Sequence, residues 1–255
     1  MLDLISFLTQ IPVRKDIKIE EVAAKSYLFP FVALLIGALV SAIAFLPFGF
    51  LLLPDEIAVL LTLLSIYLVT GLMHLDGLAD FFDGVMASGN RREKRIAMKD
   101  EKIGIAGLFA AIFVILLSLF AIESVCADFT EATFNFGLDT FYYFASVFII
   151  AEVSAKLSMN TCMLLGKGFD VNKGMGALFI RSVTKSKYVG ALLSSVLISL
   201  IFTGSFRFFI VFTGIVVAFF ISYVAKKEFG AVSGDVIGAS NEIARCVTLL
   251  VFVIV

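Results

Sequence analysis

The chain has 255 residues, of which 60% are apolar and only 16% charged, with 28 Phe, no Trp and a mean hydropathy of +1.05. Ordinary soluble domains carry about a quarter charged residues, and one soluble core of this length cannot bury so much apolar mass, so a water-soluble globule is excluded. A formal net charge of −1 and a pI near 5.9 exclude the basic excess of a nucleic-acid binder.

The composition predicts an all-α polytopic membrane protein, with residues 1–255 forming one integral membrane domain. Met1 to Pro12 carries Asp3 where a signal peptide has basic residues, and no A-x-A site follows, so residues 1–26 read as a cytoplasmic segment with a short interfacial helix. Runs able to cross ~30 Å of hydrocarbon at about 1.5 Å per residue occur at about 27–50, 57–74, 103–122, 140–165, 188–206 and 208–225. A seventh, 243–255, crosses only if its helix begins near Gly234. Cys126, Cys162 and Cys246 lack metal or disulfide spacing and read as small apolar residues.

Lys and Arg in short loops stay on the cytoplasmic side. Seventeen of the 20 cations flank the odd-numbered entries and even-numbered exits of the spans: Arg14, Lys15, Lys18 and Lys25, six in 91–102, five from Lys167 to Lys187, and Lys226 with Lys227. The opposite loops, 54–56 and 123–139, hold six carboxylates and no cation, and only Arg207 breaks the pattern. A cell-membrane protein with a cytoplasmic N-terminus, about seven spans and an outside C-terminus is expected. Residues 76–102, 166–187 and 226–242 then form cytoplasmic loops that share one face, where the active site is expected.

The first of these segments is the richest. If the second span continues as a helix, Asp76, Asp80 and Asp83 stand at i, i+4 and i+7, within an arc of roughly 60°. Three unpaired carboxylates at the end of an apolar helix repel one another, and hard oxygen ligands favour Mg²⁺ or Mn²⁺. His74, the single histidine, points off that stripe and reads as polar lining. Asn90 with Glu93 has capping-box spacing, and the helix it opens sets Arg91, Arg95, Lys99 and Lys102 within roughly 80°. This cationic stripe serves either substrate phosphates or lipid headgroups.

Gly174-Met175-Gly176-Ala177 is a weak turn signal. The run Gly230 to Asp235 is stronger, since a glycine turn opening a helix offers free N–H groups to phosphate, and Asp235 shares a helix face with Glu242. In the fourth span Glu152 and Lys156 stand at i, i+4 near mid-membrane, either an internal ion pair or an ion pathway.

At these residues the sequence resembles the cobalamin synthase (adenosylcobinamide-GDP ribazoletransferase) family. The resemblance spans nearly the whole chain: Ser6 to Val13, Phe29-Pro30, the run His74-Leu75-Asp76-Gly77-Leu78-Ala79-Asp80 with Asp83-Gly84, Met98-Lys99-Asp100, Ile103-Gly104, Gly174 to Ala177, and Gly234 to Ala239 before Glu242. Lys156 stands where the family leads one to expect Arg, whose bidentate donors Lys lacks.

The resemblance implies a Mg²⁺-dependent transferase of the phosphotransferase class, acting in cobalamin biosynthesis. A ribose hydroxyl of α-ribazole, or of its 5′-phosphate, attacks the phosphate on the cobinamide arm, GMP leaves, and adenosylcobalamin or its 5′-phosphate forms. Asp76, Asp80 and Asp83 are the expected catalytic and metal residues, with Asp80 or Asp83 a candidate base. His74, Arg95, Lys99, Asp100, Gly234, Asp235 and Glu242 are expected to bind substrate. The partners implied are a corrinoid-GDP, α-ribazole and the bilayer, with no nucleic acid; a homo-oligomer is compatible. The alternatives are a CDP-alcohol phosphotransferase of lipid synthesis, whose Arg position is here occupied by Asp80, and a transporter using Glu152 and Lys156.

Overall fold

The computed structural model describes residues 1–13, 16–51, 53–132, 138–168 and 174–255. Arg14, Lys15 and Lys173 of the cation tally lie outside them. Among the described residues the chain is helical and strand-free.

In chain order the helices are α1 (Leu2–Leu8), α2 (Ile19–Ala24), α3 (Phe29–Phe45), α4 (Asp55–Thr70), α5 (Met73–Met86) and α6 (Arg91–Ala97). There follow α7 (Ile105–Ala132), α8 (Leu138–Leu165), α9 (Met175–Ser182), α10 (Lys185–Arg207), α11 (Thr213–Glu228) and α12 (Gly234–Ile254). Six segments, those of α3, α7, α8, α10, α11 and α12, are long and apolar enough to cross a membrane, and a seventh crossing is counted if the bent pair of α4 and α5 contributes one. The all-α polytopic architecture and the spans expected from hydropathy are therefore present.

Two expectations need correction. The second span does not run on as one helix. Gly71 ends α4 with φ 72°, a conformation open to glycine, and α5 departs at 94°. We read α4 as the crossing and α5 as a helix lying outside the spans, across the end of the bundle. The stretch 123–139 is not simply a loop, because α7 continues to Ala132 and α8 begins at Leu138. At 28 residues α7 is about 42 Å long, longer than the hydrocarbon layer. The N-terminal helix α1 packs on the bundle: Leu4 and Leu8 are fully buried, and Gln10 N–H donates to the Val69 carbonyl at 2.8 Å.

The axis of the bundle is α8, packed on by α3, α10, α11 and α12. It has the lowest mean hydropathy of the six spans and is the most buried. Its polar side chains, Ser154, Lys156, Ser158 and Asn160, face other helices, because in a bilayer the protein interior can satisfy them and lipid cannot. The apolar lipid-facing rows belong to the peripheral helices, as at Leu193, Leu197 and Ile201 of α10.

The cationic segments are tied together at one end of the bundle. Lys94 pairs with Glu228 at 2.7 Å, and Arg91 Nε donates to the Lys227 carbonyl at 3.2 Å. Arg207, the exception in the charge pattern, donates to the Val255 carbonyl at 3.1 Å, on the far side of α12 from its N-terminal end.

Where α3 crosses α8 at Gly37, an added Cβ would run into the backbone of Ile149. Gly37→Ala should destabilise the protein in detergent by about 1–3 kcal/mol, the usual cost of overpacking. Gly190→Ala on α10, where a Cβ meets nothing within 4 Å, should be neutral or stabilising by up to about 1 kcal/mol. Paired thermal-unfolding curves check both.

Candidate active site

Two glycines bring the site together. A Cβ at Gly77 of α5 would lie 3.1 Å from the Asp235 Cα, and a Cβ at Gly176 of α9 would overlap the Gly234 backbone. The absence of side chains there lets α5, α9 and the start of α12 meet at backbone contact around a cavity of about 720 Å³.

Asp76, Asp80, Lys99, Asp100, Asp235 and His74 all line this cavity, together with the first residues of α9 and α12. The expected N-cap at Asn90 is present as a complete capping box. At α12 the cap is Ser233, whose Oγ accepts from Val236 N–H at 3.4 Å and donates to Asp235 Oδ2 at 3.1 Å. Two helix N-termini thus open on the cavity with positive dipole ends.

The three aspartates of α5 do not share one environment. Asp83 is taken up structurally: Oδ2 accepts from Gly104 N–H and Oδ1 from Gly107 N–H, both at 2.7 Å, so its carboxylate caps α7 from another helix. It does not line the cavity with Asp76 and Asp80. Those two form no ion pair or side-chain hydrogen bond. Burial, then the neighbouring charges of Asp76, Asp235 and Asp83, pushes the Asp80 carboxyl up to about 6. The carboxylate missing from the expected trio is replaced at the cavity by Asp235.

The other expected binding residues also divide. Lys99 and Asp100 line the main cavity and an adjoining cleft of about 380 Å³, whereas Arg95 lines only that cleft, beside Arg92 and Ile96. Arg95 Nε donates to the Arg91 carbonyl at 3.3 Å. Glu242, two turns beyond Asp235, is 2% exposed and does not reach the cavity.

Glu242 belongs to a charge network that sequence reading saw only in part. Glu152 and Lys156 pair at 3.0 Å as their spacing predicts. Arg245 adds Nε to Glu152 at 2.6 Å and Nη1 to Glu242 at 2.8 Å. Asn241 accepts from Lys156 at 2.9 Å and donates to Glu242 at 3.0 Å, and the Tyr67 hydroxyl donates to Glu242 at 3.3 Å. Two cations and two anions close on each other, which is the internal ion pairing expected of Glu152 and Lys156, enlarged by Arg245 and Glu242. Arg245, three residues beyond Glu242 in an apolar span, was the signal available for the missing partner.

His74 is 4% exposed, and neither ring nitrogen has a hydrogen-bond partner. Burial, followed by the charges of Lys156 and Arg245, holds it well below the usual histidine range, so it is neutral. The apolar part of the lining is rich in Met98, Met159, Met163 and Phe179, of which only Met98, in the Met98-Lys99-Asp100 run, figured in the sequence reading.

Among the described residues, no three His, Cys, Asp or Glu side chains are drawn together as a metal cage. The donor set nevertheless fits a hard divalent cation. Mg²⁺ is commonly held by one or two carboxylates plus substrate phosphates, and Asp76 and Asp80 are unpaired oxygen donors beside Asp235 in the same cavity.

Fold and site together define a polytopic membrane protein with an acidic cavity built at one end of its bundle. The chain belongs to the cobalamin-5-phosphate synthase family, whose profile matches residues 1–253. It is 32% identical over 249 residues to the adenosylcobinamide-GDP ribazoletransferase of Methanococcoides burtonii, covering 97% of this chain and 89% of that one. It is 34% identical over 252 residues to the enzyme of the same name from Thermococcus onnurineus, covering 98% and 96% of the two chains. A third such relative, from Thermococcus kodakarensis, is 34% identical over 256 residues, covering 100% of this chain and 98% of its own. No solved structure matches the chain.

Asp83 and Asp76 should respond oppositely to neutralisation. Asp83→Ala strips two backbone N–H groups of their acceptor and should cost about 2–3 kcal/mol. Asp76→Asn removes a repelling charge and should leave the melting temperature unchanged or raised. Thermal unfolding in detergent with EDTA measures both.

Proposed function

We propose that this protein joins α-ribazole, or its 5′-phosphate, to a GDP-linked adenosylcobinamide at this cavity, releasing GMP. The observation that carries the reading is the convergence of Asp76, Asp80, Asp235 and Lys99 on one cavity between two helix N-termini. The near full-length likeness to relatives named for this transfer supports it.

The chemistry asks for placement and charge neutralisation more than for a covalent intermediate. Lys99 and the positive dipole ends of α9 and α12 hold the phosphates of the GDP-linked substrate. Arg95 and Asp100 flank them from the adjoining cleft. Asp76 and Asp235 would hold Mg²⁺, which when bound supplies positive charge at the phosphate under attack. Asp80, on the same cavity as Asp76 and Asp235, takes the proton of the ribose hydroxyl as its oxygen bonds to phosphorus. GMP departs with the electron pair of the broken P–O bond. Asp83 positions this set by fixing α5 to α7. The network around Glu242 acts from behind the wall.

Purified protein in detergent should release GMP from GDP-cobinamide only when α-ribazole and Mg²⁺ are present. Asp76→Asn and Asp80→Asn should each remove most turnover while inserting normally, since an amide replaces neither the charged ligand nor the base. Lys99→Ala should raise the KM for the GDP-linked substrate by about 10-fold or more, equivalent to one charge-assisted hydrogen bond. Full activity in excess EDTA would sink the metal assignment.

We also propose that the cavity end faces the cytoplasm, as the positive-inside rule requires of its cations. In a Cys-free background, Phe50→Cys at the far end should react with an impermeant maleimide in intact cells. Ser88→Cys should react only after the membrane is opened.

A further inference from the structure

The cavity lining is of two chemical kinds. Aspartates and Lys99 make up one. The other is Met159 and Met163 on α8 and Phe179 on α9, all buried, with Phe7 stacked on Phe179 at 5.3 Å between ring centroids. His74 lies at this same lining, 4% exposed, with Nδ1 and Nε2 both unpartnered. Buried polar groups are ordinarily hydrogen-bonded, and an imidazole left idle on a cavity wall is suited to a ligand atom. Phosphate is a poor fit to this side, because Met and Phe offer it no donors. A flat aromatic ring fits well: thioethers are polarisable and pack on ring edges and faces, and the Phe7–Phe179 stack supplies a further aromatic surface.

We infer that this wall seats the nitrogen heterocycle of the incoming nucleoside, packed on Met159, Met163 and Phe179, with the His74 N–H donating to the free ring nitrogen. The assignment deepens the proposed transfer and rests on that reading for the identity of the nucleoside. It places the base on the apolar side, so that its ribose points toward Asp80 and the phosphates.

The probe is a benzimidazole ribonucleoside, measured by equilibrium dialysis against the purified full chain in detergent without corrinoid, and then by KM for each substrate. Met163→Trp, which fills the seat, and His74→Phe, which removes the donor, should each weaken nucleoside binding and raise its KM by about 10-fold or more. KM for the GDP-linked substrate should stay within about 2-fold in both. Met163→Leu, close in volume, should bind the nucleoside within about 2-fold of the unaltered chain. Should Met163→Trp fail to insert, Met163→Ala removes the same contact without added bulk and carries the same expectation. Unchanged nucleoside binding in these variants, or a rise confined to the KM of the GDP-linked substrate, overturns the seat. Nucleoside binding that is lost in Met163→Trp, without GMP release by the unaltered protein, would keep the seat and reject the transfer. GMP release with an unmoved nucleoside KM would do the reverse.

Discussion

Everything at the cavity depends on four charges that have been taken out of water together. Desolvating Glu152, Lys156, Glu242 and Arg245 singly is prohibitive, and removing one partner from such a network typically costs about 3–5 kcal/mol. As a closed set with Asn241 and Tyr67 they tie α8, α12 and α4 at fixed rotations. Rotation is what matters for the site. Asp235 lies two helical turns before Glu242 on the same face, so the clasp on Glu242 decides that Asp235 looks into the cavity. Met159 and Met163 follow Lys156 at three and seven positions on α8, so the same clasp presents the thioether wall. The network makes no contact with substrate in our reading and yet sets both sides of its pocket.

The spans were legible because lipid imposes a length and a composition on every crossing, and that pattern survives without knowledge of neighbours. Gly234 as the start of the last helix was legible for the same reason. The bend at Gly71 was not: a lone glycine between an apolar span and an acidic helix is consistent with continuation or with a turn, and only the packing of α5 across α12 decides it. The acidic stripe illustrates the limit further. Spacing put Asp76, Asp80 and Asp83 on one face correctly, but the capping demand of α7, whose bonded N–H groups lie 21 and 24 residues downstream, claims Asp83. Nothing local to the stripe announces that demand.

The cations left over from the loops lie in the buried network. Loop cations and Arg207 account for all but two of the 20 basic residues. The remaining two are Lys156 and Arg245, the buried pair of cations that neutralise Glu152 and Glu242. The Arg expected near mid-membrane from family resemblance is therefore supplied from α12 in place of α8, which keeps a planar donor beside the carboxylates although position 156 is Lys.

The backbone contact between Gly176 and Gly234 sets the heads of two peptide-dipole columns against the same space. Like poles facing one another repel, and with no anion between them that repulsion would work against the very contact the glycines permit. An anion lodged there reverses the sign of the interaction, turning two mutually repelling helix ends into a clamp. One of those ends follows the central helix and the other opens the last, so a pyrophosphate bound as proposed would act as a cross-link between distant parts of the chain, and the site would be most firmly assembled when full.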